Sequence, residues 1–180
     1  MLSKTIQKFL DTNKIKYEVI EHKTVYTAFD KAATLHAKPA IIGKTVVVCF
    51  DKKHYMLGLI PANKNLDKKK LLKIINNSPN SPSYIKRRVG GVKNTREHYS
   101  HVDFAKEAWM KNNFKGVKLG ATPPLATLYK LPFFMDNTLT KSAKIIVNGG
   151  AYETSIKLSP ASLIKLNKST LKSGFSMAKK

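Results

Sequence analysis

The sequence predicts one α+β domain, built on a closed or nearly closed β-sheet with a few helices and a basic insertion at about residues 78–100. Short β-branched and aromatic runs recur between turn residues. Capped segments of helical period interrupt them. A length of 180 residues, 42% of them hydrophobic, suits a single domain with a real core.

Residues 3–13 read as an amphipathic helix, with Ser3 as cap and Ile6, Phe9 and Leu10 on one face. Lys16–Ile20 alternates as a short strand, with Tyr17 and Val19 on one side. Thr27-Ala28-Phe29-Asp30 resembles a capping box and opens a helix through about His36, which Pro39 ends. Thr45–Phe50, the turn Asp51-Lys52-Lys53 and His54–Ile60 read as a hairpin. Asp67 can cap a helix carrying Leu71, Leu72, Ile74 and Ile75. Residues 76–100, rich in Asn, Ser, Pro, Gly and basic residues, read as a long loop. Asp103–Asn112 is expected to be a helix, and Leu128–Lys130, Phe133–Asp136, Ile145–Asn148 and Tyr152–Leu158 to be strands. Ser159-Pro160 caps and opens a last helix through Leu166. The domain is thus expected over residues 1–167, with 168–180 a polar, basic, frayed tail.

Composition excludes several classes. The single Cys49 leaves no disulfide framework and no multi-cysteine zinc module. No apolar run approaches the ~20 residues of a membrane span, and the N-terminus lacks the apolar core of a signal peptide. Asp11 argues against a transit peptide, so a reducing cytoplasmic setting without membrane contact is expected. There is no Gly-x-Ser-x-Gly elbow. Gly43-Lys44-Thr45 ends like a phosphate loop, but Lys38 stands where its first Gly belongs, and a strand follows rather than a helix. His98 and His101 have a metal-compatible spacing without a convincing third ligand, so no metal and no cofactor are expected. Cys49 among apolar strand residues reads as a small packed thiol.

The net charge of +22 favours an anionic partner, nucleic acid first. Scattered lysines also fit a simple compositional bias, but one segment is more specific. Between Asp67 and Glu97 there is no acidic residue, and the stretch carries Lys68, Lys69, Lys70, Lys73, Lys86, Arg87, Arg88, Lys93 and Arg96. Every arginine of the protein lies there, and arginine grips phosphate in a planar, bidentate way. Tyr84 and Tyr99 flank the cluster and could stack on bases.

Three further segments have unusual local chemistry. Gly43-Lys44-Thr45 sets a lysine at the mouth of a strongly apolar strand. Gly120-Ala121-Thr122-Pro123-Pro124 joins a residue free to take positive φ to two that stiffen the chain, a loop able to present N–H groups to a carbonyl or oxyanion. Asn148-Gly149-Gly150 reads as a tight turn between strands.

In order and context these pieces resemble the YbaK/prolyl-tRNA synthetase-associated editing domains, which are aminoacyl-tRNA deacylases. The likeness covers roughly residues 1–76 and 101–167. It runs through Tyr17–His22, Thr27-Ala28, Lys44–Val47, Ile60-Pro61-Ala62, Gly120–Pro124, Leu128-Tyr129, Asp136–Leu139 and Asn148–Gly150. The resemblance implies a mixed β-barrel surrounded by helices, with a pocket for the aminoacyl ester at the 3′ end of tRNA. It implies that Lys44 is the essential lysine, that Gly120 to Pro124 form the catalytic loop, and that His22, Asp136 and Gly150 are further family positions. With Thr45, Ala121, Thr122, Pro123, Asn148 and Gly149 they make up the expected pocket. Thr27 is expected in the same pocket, and Tyr26, Ala28, Phe29 and Thr122 are the expected acyl-side wall. The chain departs from the pattern at Ala126 and Lys130, where members often carry Gly, and at Tyr152, where many carry His. These departures bear on which amino acid is removed.

The expected activity is therefore hydrolysis of mischarged aminoacyl-tRNA by water. Lys68, Lys69, Lys70, Arg87, Arg88, Lys93 and Arg96 would hold the acceptor stem, and an aminoacyl-tRNA synthetase would be a further partner. Two other readings use the same scaffold: a non-catalytic RNA-binding module, and a small-ligand or protein-docking domain.

Overall fold

The computed structural model describes residues 1–78, 98–168 and 170–179. Helix α1 (Lys4–Thr12) starts at Ser3, whose hydroxyl accepts the Ile6 N–H at 3.3 Å, and it buries Ile6 and Leu10. Strand β1 (Tyr17–Glu21) leads to α2 (Ala28–Thr34), capped by Thr27, and to a 3-10 turn at Pro39–Ile41. The hairpin β2 (Gly43–Phe50) and β3 (His54–Pro61) pairs from Gly43 with Pro61 to Phe50 with His54. Next come β4 (Lys64–Leu66), α3 (Lys68–Asn77) capped by Asp67, β5 (Val102–Phe104) and α4 (Glu107–Asn113). The chain closes through β6 (Phe133–Asp136), α5 (Asn137–Thr140), β7 (Ile145–Ala151), β8 (Thr154–Leu158), α6 (Pro160–Leu166), β9 (Thr170–Ser173) and β10 (Ser176–Ala178).

The fold is α+β around a mixed sheet. Among the described residues, five strands run in the order β5-β2-β3-β6-β9, three in the order β1-β8-β7, and β10 pairs with β4. Strand β2 is antiparallel to β3 and β5, while β6 is parallel to both β3 and β9. A parallel bridge between Ile42 and Ile146 joins the two larger sheets where β2 begins. This seam positions the site described below.

Period-two alternation distributes the core to both faces of the central sheet. Leu57 and Leu59 point to one face, where they pack with Phe133, Met135, Val147, Ile156 and Leu163. Met56 and Ile60 point to the other, with Phe134 and the buried Leu71 and Ile75 of α3. Gly58, between them, is required by packing. It pairs with Phe134 across β3 and β6, and a Cβ at Gly58 would meet that ring at 2.0–2.6 Å. Gly58→Ala is expected to cost about 1–3 kcal/mol, because a ring in a filled core has nowhere to move. Thermal denaturation should register roughly 2–4 °C for each kcal/mol lost at this chain length.

Four local expectations need correction. Leu128–Lys130 is a succession of turns, with Leu128 N–H on Leu125 O and Tyr129 N–H on Ala126 O, and Lys130 takes φ +56°. The helix expected from Asp103 starts at Glu107, because Val102–Phe104 pairs instead with Val48–Phe50 as an edge strand. Asn148-Gly149-Gly150 is not a turn. It lies inside β7 as a bulge between Asn148 and Ala151, and the chain reverses at Tyr152-Glu153. Within the expected frayed tail, Thr170–Ala178 is ordered by pairing: β9 pairs with β6 and β10 with β4. Two apolar side chains, Leu171 and Phe175, bury themselves in the core and pin it. Among the described residues no helix is long and apolar enough to cross a membrane, and no three His, Cys, Asp or Glu side chains group as metal ligands.

Candidate functional site

A cleft of about 300 Å³ opens at the seam between the two larger sheets. The lead-in to α2 supplies one wall. There Thr27 both donates to Asp30 Oδ2 (2.7 Å) and accepts the Asp30 N–H (3.0 Å), which fixes the chain around Tyr26 and Ala28. The start of β2 supplies Lys44 and Thr45, and the Gly120 loop and the end of β7 face them.

Lys44 is held on a rigid strand. Its Nζ donates to Lys64 O at 3.0 Å, which uses one of its three protons. Burial pushes its pKa below the usual lysine range, and the like charge of Lys179 adds to this.

The Gly120 loop is clamped from behind. Gly120 takes φ +82°, a conformation for which glycine is the residue of choice, and a Cβ there would meet nothing within 4 Å, so backbone geometry rather than space requires it. Gly150 N–H donates to Ala121 O (3.0 Å), Lys118 N–H to Gly150 O (2.9 Å), and Tyr152 OH to Leu119 O (2.9 Å). The Asn148 amide donates to Gly120 O at 3.2 Å. Ala121 N–H is already committed to Lys118 O, whereas the Gly120 N–H has no acceptor among the described residues.

Sequence reasoning missed Lys31. It is 4% exposed and lines the same cleft, and its Nζ donates to Asn148 Oδ1 at 2.5 Å. Burial pushes its pKa down to about 8. The available signal was helical spacing, since Lys31 falls three residues after Ala28 on the same face of α2. Tyr152, a departure from the family pattern, lines the cleft as well. It packs edge-on against Tyr26 at 4.9 Å and completes the rim, with Val25 and Ala151 beside it.

Of the expected site residues, the cleft brings together Lys44, Thr45, Tyr26, Thr27, Ala28, Gly120, Ala121 and Asn148. The others stand outside it. The His22 ring bridges Lys23 O and Ser155 Oγ, each at 2.8 Å, and so ties β1 to β8. Phe29 is 55% exposed, with Lys179 Nζ 5.3 Å above its ring. Thr122 and Pro123 are buried behind the loop, and Pro124 O accepts the Asn167 amide at 2.8 Å. Gly149 and Gly150 form the bulge that backs the loop. The Asp136 carboxylate is fully buried, and its oxygens accept from Thr138, Phe175 and Ser176. That leaves it an internal anchor, away from the cleft.

The basic residues divide similarly. Lys68, Lys69 and Lys70 form the first turn of α3, where Lys68 pairs with Asp103 at 2.7 Å. Tyr99, expected to flank a base-stacking surface, is buried against Phe50 and His54. Tyr84, Lys86, Arg87, Arg88, Lys93 and Arg96 lie outside the described residues. A larger groove of about 520 Å³ runs between Lys14–Glu18 and Leu158–Lys165, and none of the expected residues line it.

A family model described as the aminoacyl-tRNA editing domain matches residues 88–166. No curated protein matches the chain. Among solved structures, the hypothetical protein APE2540 is similar at TM-score 0.72 and 18% identity, over 97% of this chain and 100% of that one. A scaffold protein used for computational epitope grafting matches at TM-score 0.74 and 18% identity, over 99% and 100%. A candidate trans-editing enzyme for prolyl tRNA synthetase matches at TM-score 0.69 and 19% identity, again over 99% and 100%. The chain thus shares the fold of these structures over nearly its whole length, and over residues 88–166 its sequence matches the model of the aminoacyl-tRNA editing domain.

Proposed function

We propose that the cleft removes the amino acid from mischarged tRNA by hydrolysing the aminoacyl ester at its 3′ end. One observation carries this reading: Lys44 and the Gly120 loop, far apart in the chain, form walls of the same small cleft. Water attacks the carbonyl carbon and the bond to the ribose oxygen breaks. That oxygen takes up a proton, leaving a free amino acid and the tRNA hydroxyl.

An aminoacyl ester is already activated, so positioning and charge stabilisation can suffice. Gly120 N–H receives the developing oxyanion. The free protons of Lys44 hold the terminal phosphate or the ester region. No carboxylate or imidazole lines the cleft among the described residues, so the water's proton passes to solvent, or to the substrate's neighbouring ribose hydroxyl as that hydroxyl hands its own proton to the departing oxygen. Pro123 and Pro124 stiffen the loop from inside the protein, and Asn167 holds its far end. Tyr26 and Ala28 bound the acyl group by size, which by itself separates similar amino acids weakly, at ~1–3 kcal/mol per methylene.

Lys68–Lys70 and the basic stretch with Arg87, Arg88, Lys93 and Arg96 grip the acceptor stem, a contact that gives affinity with little base specificity. Neutralising Arg87, Arg88 and Arg96 together is expected to weaken tRNA binding and lower its salt slope by about 2–3, at roughly one unit per phosphate contact. Unchanged binding would remove that stretch from the interface. An aminoacyl-tRNA synthetase, the kind of partner named for the candidate trans-editing relative, would deliver the substrate. The reading is tested by incubating the protein with a panel of labelled mischarged tRNAs. Turnover supports it; tight binding without turnover would replace it with a non-catalytic RNA-binding module.

A further inference from the structure

We infer that Lys31 makes the cleft selective for an acyl group bearing a carboxylate, an aspartyl- or glutamyl-type ester, because it offers a buried ammonium group that nothing in the cleft neutralises. The inference rests on the deacylase reading above and names its substrate class.

The lysine is buried but not paired. It is 4% exposed, its hydrogen bond goes to the neutral Asn148 amide, and it makes no ion pair among the described residues. The cleft lining carries a second ammonium, Lys44, and no carboxylate. A charge in such a place is costly unless a counter-charge reaches it. At neutral pH it nonetheless stays mostly protonated, since burial pushes its pKa only to about 8. One of its three protons is on Asn148, which leaves two for a ligand.

Its position identifies which part of the substrate would meet it. The same Asn148 amide that accepts from Lys31 donates to Gly120 O, so the ammonium sits two hydrogen bonds from the loop assigned to the ester carbonyl. Lys44 approaches from β2, on another wall, and is assigned the terminal phosphate or the ester region. A group held at Gly120 and extending toward Lys31 is therefore the side chain of the acyl moiety. A carboxylate there makes a charge-assisted hydrogen bond, whereas the isosteric amide leaves the ammonium without a counter-charge. The α-amino group is common to all aminoacyl esters and does not alter this comparison.

The test uses non-hydrolysable 3′-aminoacylamino-3′-deoxyadenosines, with aspartyl compared against asparaginyl and glutamyl against glutaminyl, titrated calorimetrically into the intact protein. The wild-type protein is expected to bind at least one acid about ten-fold more tightly than its amide isostere. Lys31→Arg should keep the preference and Lys31→Met should abolish it. Equal or reversed affinities in the wild-type protein would overturn the inference, and this comparison needs no variant to fold. A preference that survives in a folded Lys31→Met protein would overturn it too. The two readings fail separately. Hydrolysis of neutral aminoacyl-tRNAs without acid preference keeps the deacylase and removes the role of Lys31. Acid preference through Lys31 without turnover of any tRNA keeps the anion site and removes the deacylase.

Discussion

Lys44→Ala is expected to lower single-turnover deacylation of a mischarged tRNA by at least about 100-fold, the scale on which losing one preorganised charge-stabilising donor acts. The fold should survive. The Lys44 side chain is only partly buried, it belongs to no core cluster, and strands β2 and β3 stay paired through eight backbone positions on either side of the hairpin. Far-ultraviolet circular dichroism and the melting temperature should therefore stay close to wild type while the rate collapses. A variant that hydrolyses at the wild-type rate would show that the ammonium has no part in the reaction. Because Lys44 contributes a fixed charge in this account, Lys44→Met, which keeps the apolar stem, should be as inactive as Lys44→Ala.

Asp136→Ala is expected to cost about 3–5 kcal/mol, the effect of stripping buried, hydrogen-bonded groups of their charged partner. The carboxylate caps α5 through Thr138 N–H at 2.9 Å and accepts the Phe175 and Ser176 N–H groups, each at 2.9 Å. It thus joins the end of β6 to the strand that returns along β4. Without it three backbone donors lose their acceptor, and β10 loses its tie to β6. Lys179 follows β10 directly and lies close enough to Lys44 to depress its pKa, so the damage should reach the cleft as well.

The same carboxylate makes a pH prediction. Burial raises its pKa, but hydrogen bonds from Thr138, Ser176 and Phe175 outweigh burial, and the net shift is downward. The unfolded chain, with a carboxyl near 3.9, then binds more protons than the folded one in the acid range. The stability contribution is present above about pH 4 and is lost as the pH falls through the lower, folded-state pKa. Urea midpoints measured from pH 5 downward should fall for wild type and fall less steeply for Asp136→Asn.

What the sequence made legible was local. Ser3, Thr27, Asp67 and Ser159 each precede an apolar face, and each side chain accepts the helical N–H three residues on. The β-branched run at Thr45–Phe50 and its return are likewise a neighbour-to-neighbour pattern. What escaped depends on distant partners. Leu171 and Phe175 look isolated in a basic tail, and only the core they enter, with partners at β6 37 and 39 residues back along the chain, turns that tail into strands. Asn148-Gly149-Gly150 has turn chemistry, but pairing across to β8 stretches it into a bulge and turns the Asn148 side chain toward Lys31 and Gly120.

The site follows the same division. Lys44 and Gly120 were legible because each sits in a short, chemically odd segment. Lys31 was not, because in the sequence it is one lysine among many on a short helix. Only the fold buries it. Asp136 and His22, which the resemblance implies as pocket positions, hold elements together, Asp136 through backbone N–H groups and His22 through Ser155.

The most direct test is a crystal structure of the protein with a 3′-aminoacylamino-3′-deoxyadenosine bound. The account predicts the ligand in the cleft between β2 and the Gly120 loop, its acyl oxygen within hydrogen-bonding reach of the Gly120 N–H and its ribose side facing Lys44. A ligand seated elsewhere, or one bound with Lys44 turned away from it and the Gly120 N–H unengaged, would contradict it.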